Sequence, residues 1–183
     1  PSFNCAMGED WQAGRLSVAA EHHYTASLRQ VVLRALPPAG QATSSPRVLL
    51  TTPPTELHSQ GLLALLVQLR LHGASCVDLD TQTPLEEVLT TVRTQHIDIV
   101  AISMSACMPV MDVHLYVRGL QSGLPETCAL WLGGQGCAAL ESKDLQRCEV
   151  FTDTASAVRR WLTLECPLPL DTPEQDKVCH PAY

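Results

Sequence analysis

Residues 97–103 read Ile-Asp-Ile-Val-Ala-Ile-Ser, and the architecture can be worked out from this stretch. After its aspartate the run is apolar on both faces, which is typical of a central strand in a parallel sheet that helices cover on both sides. Shorter apolar runs that alternate with helical stretches lie on either side of it. We predict further strands at residues 47–52, 75–80, 128–132 and 149–152.

Helices are predicted after each of these strands, at residues 58–72, 84–95, 111–120, 138–146 and 155–164. Gly73 ends the first of them, and Pro84 begins the second at the position where proline costs a helix least. Five β-α units in a row predict an α/β fold with a doubly wound, five-stranded parallel sheet of the Rossmann-like, flavodoxin-like type. Ligands bind such sheets at the carboxyl ends of the strands.

The two ends of the chain do not share this pattern. Ser17 is a predicted N-cap for a helix over residues 18–36, and the sequence Pro-Pro-Ala-Gly at 37–40 ends that helix. The last residues contain four prolines and no periodicity, which indicates an irregular tail. We therefore divide the chain into an N-terminal helical segment (1–45), a main domain (46–165) and a proline-rich tail (166–183).

Composition limits the classes of partner. The formal net charge is −7, whereas binding a nucleic-acid backbone requires a concentrated basic surface. No apolar run is long enough for a membrane span, and no secretory signal follows Pro1, so we expect no membrane partner. The eight cysteines form no CxxC pair, and several lie in apolar, strand-like runs. This pattern favours reduced thiols in a cytoplasmic protein over disulfides or a zinc site.

The loop after the first predicted strand contains Glu56, His58 and Gly61 in the spacing ExHxxG. An imidazole that binds a metal through one nitrogen needs a partner on the other to fix its tautomer and orientation. Glu56 can be that partner, and Gly61 leaves room for a bulky ligand close to the backbone. Taken alone, the motif is equally typical of a solvated loop histidine.

Two further features follow neighbouring strands. Ser103 and Ser105 end the central strand, where their hydroxyl groups can hydrogen-bond the edge of a buried ligand. Gly133 and Gly134 follow the fourth strand, where the missing side chains would let a large flat group approach the backbone. Each feature alone is typical of an ordinary strand end or turn. Together, at the carboxyl ends of strands in one sheet, they predict a shared ligand site.

The combination of ExHxxG, SxS and GG resembles the signature of cobalamin-binding Rossmann-like domains over about residues 47–164. Glu56 stands where the usual first motif has aspartate, and Ser105 departs mildly from the usual SxL or SxT. The resemblance implies cobalamin as the cofactor and His58 as the lower ligand of its cobalt. The displaced nucleotide tail of the cofactor would then lie beside the sheet. The implied contacts in this domain are Glu56, His58, Gly61, Ser103, Ser105, Gly133 and Gly134.

Trp11, followed after nine residues by Glu21 and His22, resembles the Wx9EH signature of CarH-type cobalamin photoreceptors. In that family the motif lies in a helical cap, so the resemblance implies that Trp11, Glu21 and His22 contact the upper, adenosyl group. Residues 1–45 leave room for about the last helix and a half of that cap. From the residues alone, Trp11 is equally typical of a core anchor, and Glu21 of a charge that favours the helix dipole.

The chain departs from that family in two ways. Gln12 stands where the family usually has the histidine that becomes the upper ligand after illumination, which leaves His22, His23 or water as alternatives for that place. The MerR-type DNA-binding domain usual in the family is not part of this sequence.

These observations predict a cobalamin-binding light sensor that controls transcription, without enzymatic activity of its own. Loss of the upper ligand would change domain packing or oligomerisation. The expected cofactor is adenosylcobalamin, with methylcobalamin or hydroxocobalamin as alternatives. The expected partners are further copies of the chain, and DNA through a separate domain or partner protein.

The alternative function is that of a corrinoid carrier protein in a methyltransferase system. A mutase-type subunit would need a substrate-binding barrel, for which this sequence has no segment. No GxGxxG or phosphate-loop motif supports a domain that binds another nucleotide cofactor.

Overall fold

The computed structural model describes residues 17–36 and 46–165. Within them, five parallel strands form one sheet in the order β2-β1-β3-β4-β5. The chain runs from β1 outward to β2 and then crosses back over β1 to β3, so its direction of travel reverses between β1 and β3. The predicted doubly wound, flavodoxin-like sheet is confirmed. The strands are β1 (Val48–Thr51), β2 (Cys76–Asp78), β3 (Ile99–Ser103), β4 (Ala129–Gly133) and β5 (Cys148–Phe151).

Helices cover both faces of the sheet. One layer contains α2 and α5, which contact each other, and the opposite layer contains α3 and α4. The central strand β3 serves both layers, because its side chains alternate between the two faces. The helices are α1 (Val18–Ala35), α2 (Gln60–Leu71), α3 (Leu85–Gln95), α4 (Val110–Gly123) and α5 (Thr154–Glu165).

The α-helix predicted over residues 138–146 is wrong. The segment instead forms two short 3₁₀ helices, Gln135–Ala139 and Ser142–Asp144. Leu140 is extended between them, with φ −82° and ψ 136°. Asp144 also accepts a hydrogen bond from the amide of Glu141, which closes a separate short turn. The break in the backbone therefore prevents one continuous helix.

The N-terminal helix begins at Ser17 as predicted, because the Ser17 side chain accepts a hydrogen bond from the amide of Ala20 at 3.2 Å. Val32 and Leu33 pack against the layer formed by α2 and α5. Arg29 forms ion pairs with two aspartates at the carboxyl end of β2, Asp78 and Asp80. Helix α1 is therefore anchored at the edge of the sheet where the strands end.

Five cysteines in the described ranges are free thiols. Burial raises the pKa of Cys76 to about 12 and that of Cys128 to about 11. These two thiols therefore stay protonated at neutral pH and pack as small apolar groups, as the sequence predicts. No helix in the described ranges is both long enough and apolar enough to cross a membrane.

Candidate functional site

The loop between β1 and α2 contains a histidine whose ring is held by a buried carboxylate. Glu56 is only 2% exposed, and its Oε1 lies 2.6 Å from Nδ1 of His58. The same oxygen accepts a hydrogen bond from the backbone amide of His58 at 2.8 Å. Because the carboxylate accepts the Nδ1 proton, Nε2 is the ring nitrogen that is left for another partner. The His58 side chain is 51% exposed, so this imidazole is available to an incoming metal.

The loop after β3 holds the same carboxylate from the other side. The backbone amide of Ser105 donates to Oε2 of Glu56 at 2.6 Å, and Oγ of Ser105 lies 3.3 Å from Nδ1 of His58. Glu56 therefore joins the ends of β1 and β3, the two strands between which the chain reverses direction. Ligands of doubly wound sheets bind at this position.

Glu56 is a carboxylate at neutral pH. Burial disfavours its charged form, but hydrogen bonds from the amide of His58 and from Ser105 outweigh that effect and hold the pKa of Glu56 below its ordinary value. An ionised carboxylate only accepts hydrogen bonds, so Nδ1 of His58 must be the protonated ring nitrogen facing it.

The start of α2 places His58 outside the helix. The helix begins at Gln60, two residues later than the sequence predicts, and the amide of His58 donates to the Glu56 side chain. His58 therefore lies in the loop, before the first helical turn, and its ring is directed by Glu56.

Threonines that no sequence motif marks fix the loop that carries Glu56. Thr52 Oγ1 donates to the backbone carbonyl of Glu56 at 3.0 Å and accepts from the amide of Gln82 at 2.9 Å. The Thr83 amide donates to the Thr52 carbonyl at 3.1 Å, and its hydroxyl lies 2.6 Å from that of Thr51. The loops after β1 and β2 are therefore tied together, which positions Glu56.

A cavity of about 200 Å³ lies beside this cluster, between helices α2 and α5 and strands β3, β4 and β5. Most of its wall is apolar, and exposed Thr152 and Asp153 add polar atoms. A largely apolar cleft with a few polar groups suits a flat aromatic group. Its lining includes Gly61, Leu62, Leu65, Ser103, Trp131, Gly133, Gly134, Phe151 and Ala157.

The three glycines at this cavity act differently. A Cβ added at Gly133 would meet only the Phe151 carbonyl, at 3.8 Å, so the space in front of it is open. At Gly61 a Cβ would lie 3.1 Å from Ser103 Oγ, so this glycine lets α2 approach β3. Gly134 has φ +91°, and its Cβ would lie 2.2 Å from the Met104 carbonyl. The turn itself therefore requires Gly134, whereas the sequence pattern indicates a role for this glycine beside a ligand.

The predicted site residues fall into three groups. Glu56, His58 and Ser105 form the hydrogen-bonded cluster. A second set lines the cavity: Gly61, Ser103, Gly133 and Gly134. The third set is the predicted upper-face motif: Trp11 lies outside the described residues, and Glu21 and His22 belong to α1 but their side chains are not described.

Trp131 also lies at the site, although no sequence motif marks it. Its side chain belongs to the core and is 1% exposed. It also lines the cavity, and its indole Nε1 has no hydrogen-bond partner within residues 17–36 and 46–165. A tryptophan in an apolar strand two residues before Gly133 was the available signal.

Comparisons with known proteins relate this geometry to a class of fold. No family model matches the chain. The HTH-type transcriptional repressor CarH of Myxococcus xanthus is 30% identical over 130 residues, which cover 71% of this chain and 43% of that protein. The chain thus spans less than half of the length of this curated relative.

Three solved structures share the fold. A cobalamin-binding protein from Desulfitobacterium hafniense has a TM-score of 0.53 and 20% identity, covering 85% of this chain and 76% of that one. The monomethylamine corrinoid protein of Methanosarcina barkeri has a TM-score of 0.55 and 15% identity, with 85% and 75% covered. The methanol:cobalamin methyltransferase complex of Methanosarcina barkeri also reaches 0.55 at 15% identity, with 87% and 62% covered. The chain therefore has the Rossmann-like fold found in these cobalamin-binding proteins.

Proposed function

We propose that this chain is a cobalamin-binding light-sensing module that controls transcription, with His58 as the lower axial ligand of cobalt. The observation that carries the proposal is the Glu56–His58 pair, which holds a half-exposed imidazole at the point where the chain reverses its direction of travel across the sheet. The fold comparisons support the same cofactor, since two of the three similar structures are of a cobalamin-binding protein and a corrinoid protein.

The site fits a metal that arrives with its own equatorial ligands. No group of three or more His, Cys, Asp or Glu residues in the described ranges could hold a bare metal ion. His58 would offer a single nitrogen to cobalt, and the corrin ring would supply the ligands that the protein does not. The tautomer imposed by Glu56 is the one that metal-ligating histidines need.

The cavity fits the tail of the same cofactor. A lower histidine ligand displaces the nucleotide base of cobalamin, and an aromatic base needs an apolar cleft once it is displaced. The cavity provides apolar walls from Leu62, Trp131 and Phe151, and open space in front of Gly133. Ser103 adds a hydroxyl group where the cavity meets the end of β3.

The sensing function rests on the upper-face motif and on the relative. When bound, an alkylcobalamin supplies a cobalt–carbon bond that visible light breaks, and adenosylcobalamin is the form we propose. Trp11, Glu21 and His22 would contact the upper ligand, and helix α1, which contains the last two, is anchored at the carboxyl edge of the sheet. The similarity to a transcriptional repressor supports control of transcription.

The remaining parts of the proposal concern the partners, the activity and the location of the chain. Because the chain is acidic overall, we propose that DNA is bound by a separate domain or a partner protein, and that copies of this chain associate. We assign the chain no enzymatic activity of its own. The free thiols support the cytoplasmic location that the sequence predicts.

A corrinoid carrier in methyl transfer is the second candidate. Two of the similar structures are a corrinoid protein and a methyltransferase complex, each with a TM-score of 0.55. A carrier must deliver its upper ligand to a partner enzyme, whereas a sensor must respond to loss of that ligand in light. Illumination therefore separates the two functions.

The test is an absorption spectrum of the protein reconstituted in darkness with adenosylcobalamin and recorded again after a brief exposure to green light. We expect a bound corrinoid spectrum that changes irreversibly on illumination. A bound spectrum that responds only as the free cofactor does would favour the carrier, and no binding would refute both functions.

The same experiment tests the axial ligand. His58→Ala should weaken retention of the cofactor by at least about tenfold and remove the histidine-ligated spectrum, because the lower nitrogen is gone. His72→Ala, in an exposed histidine at the far end of α2, is the matched control and should leave both unchanged. An unchanged spectrum in His58→Ala would overturn the assignment of His58.

A further inference from the structure

The cavity beside β4 contains a buried hydrogen-bond donor that the described part of the protein does not use. Nε1 of Trp131 has no hydrogen-bond partner, although the residue is 1% exposed. Buried indole N–H groups normally have a partner, because water can no longer satisfy them. An unpartnered donor at a cavity wall therefore points to an acceptor that enters the cavity.

A second buried tryptophan shows that this fold can satisfy an indole. Trp161 is 0% exposed and packs in the same layer, and its Nε1 donates to the backbone carbonyl of Pro46 at 3.3 Å. Trp131 differs because it lines the cavity, as does Phe151, whose ring centroid lies 4.9 Å from that of Trp131. The two rings form an aromatic wall of the cavity, and the indole of Trp131 is the one of the two that carries an N–H group.

Two other polar side chains at the cavity are already engaged. The Thr154 hydroxyl accepts a hydrogen bond from Nε2 of Gln68 at 2.7 Å, and the Asp153 carboxylate accepts one from the Ser156 amide at 2.7 Å. Both residues line the cavity. Ser103 offers a hydroxyl group to the same cavity, and the indole N–H of Trp131 is the buried donor of the described lining that has no hydrogen-bond partner.

We propose that Trp131 Nε1 donates a hydrogen bond to a ring nitrogen of the aromatic base in the nucleotide tail of cobalamin. The inference rests on the proposed function, since a lower histidine ligand displaces that base from cobalt. The displaced base carries a nitrogen lone pair that no longer binds the metal, so a buried acceptor meets a buried donor. The cavity therefore selects corrinoids with a benzimidazole or another nitrogen-containing base over those with a phenolic base or none.

The expected preference for a base with a ring nitrogen follows from the cost of leaving the indole N–H of Trp131 buried without an acceptor. A site built to hydrogen-bond one ligand rejects an analogue that lacks the acceptor, because the donor stays buried without a partner. A phenolic base has the same flat shape but no ring nitrogen. We expect the wild-type protein to bind adenosylcobalamin about tenfold more tightly than the adenosyl form of a cresol-based corrinoid.

The experiment compares dissociation constants in darkness for adenosylcobalamin, the adenosyl form of a cresol-based corrinoid, and adenosylcobinamide, which has no base. Trp131→Phe keeps an aromatic ring and removes the donor, so it should bind the first two about equally. Trp161→Phe, the matched control, removes a satisfied indole outside the cavity and should keep the wild-type preference.

A measurement on the wild-type protein keeps the test independent of how well Trp131→Phe folds. The indole N–H signal of Trp131 in a ¹⁵N-correlated NMR spectrum, assigned by comparison with Trp11→Phe and Trp161→Phe, should move downfield with adenosylcobalamin. It should move much less with the cresol-based corrinoid.

The outcomes separate this inference from the proposed function. If the wild type binds both base-containing corrinoids equally, or if Trp131→Phe keeps the preference, the role of Trp131 is overturned while cobalamin binding stands. If none of the three corrinoids binds, the proposed function itself fails, and the role of Trp131 fails with it.

Discussion

Glu56 shows how one residue satisfies several neighbours at once. Its two carboxylate oxygens are divided between the loops: Oε1 accepts from the amide and Nδ1 of His58, and Oε2 accepts from the amide of Ser105. Sequence spacing predicts the contact with His58, because the two residues are neighbours in one loop. It cannot predict the contact with the Ser105 amide, which exists only because β1 and β3 are adjacent in the sheet.

Replacing the carboxylate should therefore affect both loops. In Glu56→Gln the side-chain NH₂ group would face an N–H donor of His58 or Ser105, so one buried hydrogen bond is replaced by a donor–donor contact. We expect cobalamin affinity to fall by about 10–100-fold, as for other residues that orient a metal-binding histidine. Titration followed by absorbance measures this, with Glu86→Gln, an exposed glutamate of α3, as the control.

Glu56→Asp completes this series. It keeps the charge but shortens the side chain by one methylene, so it should retain part of the affinity that Glu56→Gln loses. Wild-type affinity in Glu56→Gln would show that the carboxylate does not orient His58.

At the scale of secondary-structure elements, the apolar runs predict the strands correctly, whereas the weak helical pattern over residues 138–146 predicts a helix that does not form. The apolar run of β3 predicts the centre of the sheet, because a strand buried on both faces has no polar side. The segment after β4 has no such periodicity, and its 3₁₀ turns depend on side-chain hydrogen bonds. The cavity role of Trp131 was likewise hidden, since it depends on α2 and β5, which are distant in sequence.

Asp144 makes the stability of this 3₁₀ segment depend on pH. It is 1% exposed, and it accepts hydrogen bonds from the Glu141 amide at 3.1 Å and from Arg118 at 3.2 Å. His114 Nδ1 also lies 3.1 Å from this carboxylate. Burial disfavours the charged form, but these partners outweigh it and hold the pKa of Asp144 below its ordinary value.

A carboxylate with a lowered pKa in the folded state stabilises the fold above its unfolded pKa of about 4, and this contribution is lost as the pH falls through the folded value. We therefore expect the thermal unfolding midpoint of the wild type to fall below about pH 4. Asp144→Asn should start lower at pH 7 and lose less on acidification. Glu126→Gln, an exposed glutamate in the loop before β4, should behave as the wild type does. Parallel curves for Asp144→Asn and the wild type would contradict the role of Asp144.

On the scale of the whole molecule, the contacts between helix α1 and the carboxyl edge of the sheet decide whether a change at the cofactor site can reach that helix. Helix α1 is held by apolar contacts of Val32 and Leu33 and by the ion pairs of Arg29 with Asp78 and Asp80. The Arg29 and Asp78 side chains are each only 17% exposed, so this contact is better shielded from solvent than a surface ion pair. We call these contacts of α1 the joint. The joint lies at the same edge of the sheet as the hydrogen-bonded cluster around His58, and α1 also contains Glu21 and His22.

Arg29→Ala should loosen this joint while leaving the sheet intact. Removing one partner leaves Asp78 partly buried without its cation, and we expect amide hydrogen exchange to speed up by about tenfold or more in α1. Exchange in β3 should stay at the wild-type rate, because its hydrogen bonds lie within the sheet. Arg34→Ala, an exposed arginine on the same helix, is the matched control.

The cofactor measurements then show whether α1 serves the upper face. If α1 positions Glu21 and His22 there, Arg29→Ala should bind cobalamin through His58 with wild-type affinity yet show an altered response to light, because Arg29 and its two aspartates make no direct hydrogen bond to Glu56 or His58 in the described structure. An unaltered light response combined with faster exchange in α1 would separate this helix from the sensing function. Loss of cobalamin binding in Arg29→Ala would instead show that the joint holds the carboxyl edge of the sheet in the shape that the cofactor needs.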